Sequence, residues 1–364
     1  MEKEVPETGR RADVPVLTIG RHTPVYPLVQ GGMGIRISAS KLAGAVAAKG
    51  GVGTIATVAL GLASPHYTGK NYFDANKAAL VDEIAAARKT APEGILAVNC
   101  MVALTDYEAM VRTAAESGAQ IIISGAGLPM HLPEYTKDHP EVALVPIVSS
   151  MKAARLIIKR WEKSYKRMPD AFIVEAPGKA GGHLGAHTED IYSPELSLEK
   201  VVPETVEFIR SEAQADIPLI AAGGIWDRAD VMHAFELGAR GVQMGTRFVC
   251  TYECDAADAF KQMFINATPD DVVIVKSPVG LPGRAIRNAF IENLKDGPPK
   301  GHKCYAKCLA HCSFRESKEA YCIATALNNA QTGDVDNGLV FCGSNVFRCD
   351  KIVSVSEIID ELFN

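Results

Sequence analysis

The stretch Asp170-Ala-Phe-Ile-Val-Glu-Ala-Pro-Gly-Lys-Ala-Gly-Gly-His183 joins an apolar, β-branched run to a glycine-rich turn. An unbroken apolar run of this kind reads as a parallel strand buried on both faces. It ends in a carboxylate, Glu175, and leads to Gly181 and Gly182, whose missing Cβ atoms let backbone N–H groups approach a ligand closely. His183 comes next, a side chain that exchanges protons near neutral pH. The plainer reading is a tight turn with a solvated histidine. The rest of the chain bears on the choice, because the same strand-and-turn unit recurs.

Apolar runs at residues 25–29, 52–56, 95–99, 120–124, 143–148, 171–175, 218–222 and 241–244 predict eight strands. Each precedes an Ala/Glu/Lys-rich segment of helical period. Eight such units in about 240 residues have the count and size of a (β/α)8 TIM barrel, an α/β fold. An open doubly wound sheet shares the alternation. Glycine turns follow the first, fourth, sixth, seventh and eighth strands, all at the carboxyl ends where barrel active sites lie, and this favours the barrel. Thr105-Asp-Tyr-Glu108 predicts a capping box, and the sixth helix is expected from Pro203. The match Gly51-Val-Gly-Thr-Ile-Ala56 opens a strand where a dinucleotide fingerprint would follow one, so it is discarded.

The chain divides into a polar lead-in over 1–24, the barrel over 25–265 and a C-terminal cap over 266–364. In the cap a strand is expected at 272–275, a rigid loop at 277–283, and helices at 321–330 and 355–363. Turns at Gly280-Leu-Pro-Gly283 and Gly297-Pro-Pro299 let this segment fold back across the carboxyl face.

Composition is that of a globular chain: 364 residues, 47% hydrophobic and 22% charged. A net charge of −5 carries no electrostatic footprint for nucleic acid. The N-terminus is polar and lacks a signal-peptide pattern. The most apolar window, 43–63, is interrupted by Gly50 and Gly51, so no membrane span is expected. The expectation is a cytoplasmic protein acting on a small molecule, with a homodimer left open. In that setting nine cysteines imply reduced thiols or metal ligands and not a disulfide framework.

Four of them form Cys304-x3-Cys308-x3-Cys312-x9-Cys322. On a helix over 304–312 the first three would drift only about 40° per step and share a face. Four thiolates can hold zinc or an iron–sulfur cluster; the alternative is free cysteines packed under a capping segment. Cys342 and Cys349 read as structural. His187 lies four residues after His183, but the glycines around it argue against a helical metal pair.

Ala221-Ala-Gly-Gly-Ile225 and Val242-Gln-Met-Gly-Thr-Arg-Phe248 follow the seventh and eighth strands, where such barrels commonly hold a phosphate. Their glycine N–H groups and the Thr246 hydroxyl can do this without a lysine. No P-loop accompanies them, so the phosphate would belong to a cofactor and not to a nucleoside triphosphate.

Gln30-Gly-Gly-Met33, Val98-Asn-Cys-Met101, Ala180-Gly-Gly-His-Leu-Gly185, Ile220-Ala-Ala-Gly-Gly-Ile225 and Gln243-Met-Gly-Thr246 stand in the order found in the nitronate monooxygenase family. This family was formerly called 2-nitropropane dioxygenase and is related to the FMN-dependent enoyl-ACP reductases. The chain resembles it over about residues 25–290. The resemblance implies an FMN-binding barrel. Gly31, Gly32 and Met33 would run along the isoalloxazine edge, and Asn99 would bond the ring. Gly181, Gly182, Gly223, Gly224, Gly245 and Thr246 would hold the phosphate, with Glu175, Gln243 and Met244 in the same cofactor set. His183 would be the catalytic acid/base or substrate anchor. The implied activity is oxidation of alkyl nitronates by O2 through flavin. An NAD(P)H-dependent enoyl-ACP or quinone reductase is the alternative, and a flavin-binding regulatory barrel is the non-enzymatic one. Lys179 departs from the family, in which an acidic residue is common just before the AGGH block. A surface lysine is the plain account of it.

Overall fold

The structure, a computed structural model, describes residues 13–294, 304, 306–316 and 321–364. The first half of the expected lead-in, residues 1–12, and the Gly297-Pro-Pro299 turn lie outside the described residues. The eight expected parallel strands are present as β1 (Leu28–Gln30), β2 (Val52–Ala56), β3 (Ile95–Met101), β4 (Ile121–Gly125), β5 (Ala143–Val148), β6 (Phe172–Glu175), β8 (Leu219–Ala222) and β9 (Gly241–Met244). They close into a barrel in that order, β9 returning to β1 through Leu28–Val242, Val29–Gln243 and Gln30–Met244. A two-residue strand, β7 (Gly182–His183), stands outside the barrel.

Helices alternate with the strands: α1 (Ser40–Lys49), α2 (Tyr72–Thr90), α3 (Tyr107–Glu116), α4 (Leu132–Tyr135), α5 (Met151–Tyr165), α6 (Leu198–Ser211), α7 (Arg228–Glu236), α8 (Thr246–Val249) and α9 (Asp258–Ile265). The strands are mostly apolar because helices cover one face and the barrel interior the other. Gly53 shows how closely: a Cβ there would stand 1.8 Å from the Ala43 carbonyl oxygen, so β2 and α1 meet only because the position is glycine. That packing need accounts for the discarded glycine motif. Inside the barrel Val29, Ala97, Ile121, Val145, Ile173 and Ile220 form a separate apolar core. Leu17 and Ile19 join it, fully buried. This part of the expected polar lead-in therefore belongs to the core, where it plugs the barrel's interior.

The expected capping box at Thr105–Glu108 does not form. Asp106 stands at the N-cap of α3 without a side-chain capping bond, its carboxylate accepting from Asn76 Nδ2 instead, and the Thr105 hydroxyl donates to the Lys307 carbonyl at 2.7 Å. Helix α6 starts at Leu198, ahead of the expected Pro203, which sits inside it. Asp227 and Asp230 cap α7 reciprocally.

After α9 the chain returns over the carboxyl ends of the strands. Strands β10 (Val272–Lys276) and β11 (Pro282–Ile286) pair antiparallel, and β11 also pairs with β7, setting Gly283 opposite His183. Further helices are α10 (Ala289–Asn293), α11 (Ser313–Glu316), α12 (Ile323–Thr332) and α13 (Val355–Phe363). Helix α13 docks back on α1 through Lys49–Asp360 at 2.8 Å. Tyr26 stacks beside Phe363.

Two cysteine expectations are corrected. Residues 304–312 are not helical among the described positions; α11 begins only at Ser313. The backbone there is used otherwise: Leu309 bridges Leu104, Thr105 N–H donates to the Cys308 carbonyl, and Ala310 N–H donates to Ala103. The thiols are also not all reduced, since Cys250 and Cys349 form a disulfide. The neighbouring bridge between Thr251 and Val353 brings the two chain segments side by side.

Candidate active site

At the carboxyl ends of the strands lies a cavity lined by Gly31, Gly32, Met33, Asn99, Glu175, Gly181, Gly182, His183, Gly223, Gly224, Gln243, Met244, Gly245 and Thr246. All the residues singled out for catalysis and cofactor binding in the sequence thus line one space. Of the four cysteines, Cys308 reaches its wall.

The glycines make the space. A Cβ on Gly32 would overlap Asn99 Cβ at 2.4 Å, so the first loop can lie against that asparagine only without a side chain. Gly223 and Gly224 adopt φ values of 101° and 81°, which turn the strand end inward and are strained for other residues. The loop Cys342-Gly-Ser-Asn345 completes the cradle: Gly343 N–H donates to Thr246 Oγ1 at 2.9 Å, and Asn345 Nδ2 donates to the Gly224 carbonyl at 2.6 Å. Backbone of four segments therefore converges where an anion such as phosphate can be held by N–H groups. On the wall, Gln243 Oε1 is buried without a hydrogen-bond partner. An unpartnered buried acceptor costs about 1–3 kcal/mol. A planar ring carrying an N–H at its edge would satisfy it.

His183 is fixed by β7 and by Ser277, whose Oγ lies 2.7 Å from His183 Nε2. Phe341 packs edge-on against the imidazole. Nδ1 is the nitrogen left for a molecule in the cavity. Burial lowers the His183 pKa to about 4, so the ring is neutral at physiological pH. Glu175, at the end of β6, moves the other way: burial raises it to about 7, with the Arg284 guanidinium opposing the rise.

Arg284 escaped the sequence reading. It is 1% exposed, and its guanidinium donates to the carbonyls of Pro177, Gly178 and Ala180. It is thus the strut of the glycine loop. A lone arginine in Pro282-Gly-Arg-Ala-Ile286, an otherwise apolar run, was the available signal, since a buried charge must be paired. Ser277, Phe341 and the 343–345 loop had no comparable mark.

The Glu175 shift has a stability consequence. A carboxyl raised from 4.5 to about 7 favours the folded state in its protonated form, so its contribution is complete below pH 4.5 and is lost as pH rises through 7. Glu175→Gln keeps the neutral form at every pH. In the ligand-free chain it is expected to stabilise by roughly 3 kcal/mol at pH 8, with little effect at pH 4.5. Denaturant titrations at the two pH values check this; equal midpoints at pH 8 would contradict it.

The sequence profile of the nitronate monooxygenase family matches residues 17–364. A (3aS,4S,5R,7aS)-5-hydroxy-7a-methyl-1-oxo-octahydro-1H-indene-4-carboxyl-CoA dehydrogenase of Mycobacterium tuberculosis is 28% identical over 75% of this chain and 66% of its own. A probable nitronate monooxygenase of Staphylococcus aureus is 37% identical over 34% of this chain and 33% of its own. The chain thus spans about two thirds of the first relative and a third of the second. FabK of Thermotoga maritima superimposes with a TM-score of 0.70 at 25% identity, covering 93% of this chain and 92% of its own. A nitroalkane oxidase of Streptomyces ansochromogenes shares the fold with a TM-score of 0.69 at 18% identity, covering 93% and 95%. Among the described residues no helix is long and apolar enough to cross a membrane. With the family profile covering the barrel, the cradle loops and the cap alike, the chain belongs to the nitronate monooxygenase family.

Proposed function

We propose that the chain is an FMN-dependent oxidoreductase that oxidises alkyl nitronates with dioxygen. The observation that carries this reading is a neutral, hydrogen-bonded histidine facing a cavity whose floor is glycine backbone. Gly223, Gly224, Gly245, Thr246 and the 343–345 loop would hold the FMN phosphate, while Gly31, Gly32, Asn99 and Gln243 would border the ring. Bound FMN supplies the redox centre, taking electrons from the substrate and passing them to dioxygen. The chain's part is positioning. His183 offers a neutral nitrogen that can take the α proton of a parent nitroalkane, giving the nitronate, or hydrogen-bond the nitronate's oxygens. Ser277 and Phe341 fix the ring plane. Lys179, exposed at the cavity rim, gives the mouth a positive charge suited to an anion.

A second reading follows from the likeness to FabK over nearly the whole chain: reduction of an enoyl thioester or a quinone with NAD(P)H, His183 relaying a proton from solvent. Oxygen uptake with propionate 3-nitronate, set against NAD(P)H oxidation with a crotonyl thioester, separates the two. Turnover of neither substrate leaves a flavin-binding barrel without this catalysis. The cofactor assignment is checked on its own. The purified chain is expected to be yellow and to release FMN, not FAD, on denaturation, because the cradle is of phosphate type and no adenosine fingerprint accompanies it. Released FAD, or failure of the colourless chain to bind added FMN, would overturn it.

A further inference from the structure

The four cysteines of the cap are unused by the proposed reaction, although their segment roofs its cavity. Cys308 and Cys312 are buried, and Cys304 and Cys322 are half-buried. All four pack into or against one apolar core with Leu309, Ile323 and Tyr321. Cys308, Leu309 and Ile323 all line the cavity, and Cys304, Cys312 and Cys322 stand close enough to Cys308 for their charges to act on it. The segment is tied to the barrel by the bonds of Thr105 to Lys307 and Cys308, and Ser313 N–H donates to the Pro278 carbonyl.

Two features beside this cluster await an anion. Cys322 is the N-cap residue of the ten-residue helix α12, and no side chain caps that helix end. Its positive end therefore faces the sulfur-bearing turn. The Tyr72 hydroxyl is buried next to Asn76, Cys308 and Cys322 without completing a hydrogen bond. A neutral thiol is a poor acceptor for either; a metal-bound thiolate would accept from both.

We propose that Cys304, Cys308, Cys312 and Cys322 are the four ligands of a thiolate-bound metal centre that pins the cap at the edge of the cofactor cavity. Four sulfur ligands select a soft, thiophilic centre, zinc or iron–sulfur. Among the described residues no three potential ligands already converge on one point, so metal binding requires the thiols to be drawn together. Coordination deprotonates a thiol outright. Each thiol then loses its proton to solvent as its bond to the metal forms, and no electron transfer is required.

The test is metal and acid-labile sulfide analysis of the full chain purified anaerobically, with electron paramagnetic resonance after reduction. FMN is quantified in the same samples, so that failure of the flavin assignment is read separately. One centre per chain is expected: zinc alone makes it a structural pin, and iron with matching sulfide makes it a cluster. Cys308→Ser and the less buried Cys304→Ser are each expected to lose the metal, while Cys254→Ser, a buried thiol elsewhere, keeps it. If Cys308→Ser fails to fold, Cys304→Ser still decides. Neither zinc nor iron at stoichiometry in the folded wild-type chain, or metal retained in Cys304→Ser, overturns the proposal.

Discussion

His183→Ala is expected to lower kcat/KM by roughly 10²- to 10⁴-fold, the usual contribution of a positioned acid–base group, with FMN still bound at one per chain. The two effects separate because different parts of the chain produce them. The cradle is backbone, from Gly181 round to Thr246 and Gly343, and a side-chain truncation at 183 leaves it standing. The imidazole stands on Ser277 Oγ at 2.7 Å and against the Phe341 edge, and removing it takes away the nitrogen offered to substrate. With its pKa lowered to about 4, His183 is neutral throughout pH 5–9. An alkaline loss of rate is therefore not expected from this residue. Absorbance at the flavin band per chain, and kcat/KM with the nitronate, decide the matter. An unchanged kcat/KM, or flavin lost together with activity, would show that His183 is part of the binding scaffold instead.

Most of the barrel is legible in the sequence because its strands are short apolar runs buried on both faces, each ended by a glycine or a polar turn. β2, β5 and β9 fall on their expected residues for that reason. The cavity wall is legible too, since glycines needed for close approach recur at strand ends. What is not legible depends on long-range closure. Leu17 and Ile19 read as scattered apolar residues in a polar lead-in until the barrel's open end requires a plug. Gly182–His183 reads as loop, because a two-residue strand has no period; only β11, a hundred residues on, makes it one. The capping box at Thr105 is a correct local pattern overruled by a tertiary partner, the 307–310 backbone. The same backbone bonds account for the missing helix over 304–312. Cys250 and Cys349, 99 residues apart, carry no sequence mark of their pairing.

Arg284→Met tests whether the glycine loop is held from the cap, and the expected loss is large. The guanidinium bonds the Gly178 carbonyl at 3.0 Å and those of Pro177 and Ala180 as well. Methionine keeps much of the stem's bulk but leaves these buried acceptors without donors and Glu175 without its opposing charge. Removing one partner of a buried charged network costs about 3–5 kcal/mol, and each hydrogen bond to a charged group contributes about 1.5–3 kcal/mol. A destabilisation on the order of 4 kcal/mol is therefore expected, together with weakened FMN binding because Gly181 and Gly182 lose their anchor. The defect also depends on pH. Arg284 is the group that opposes the burial-driven rise of Glu175, so in its absence Glu175 stays protonated to higher pH, and its ionisation costs more once forced. The variant should be more impaired at pH 8 than at pH 5.5. Adding Glu175→Gln should recover the pH-dependent part and leave the loss from the three carbonyls, a coupling that a double-mutant cycle measures. Denaturant midpoints at both pH values and FMN titration of the apo chain supply the numbers. A single-variant loss equal at the two pH values, with FMN affinity unchanged, would mean that Arg284 neither offsets Glu175 nor supports the loop.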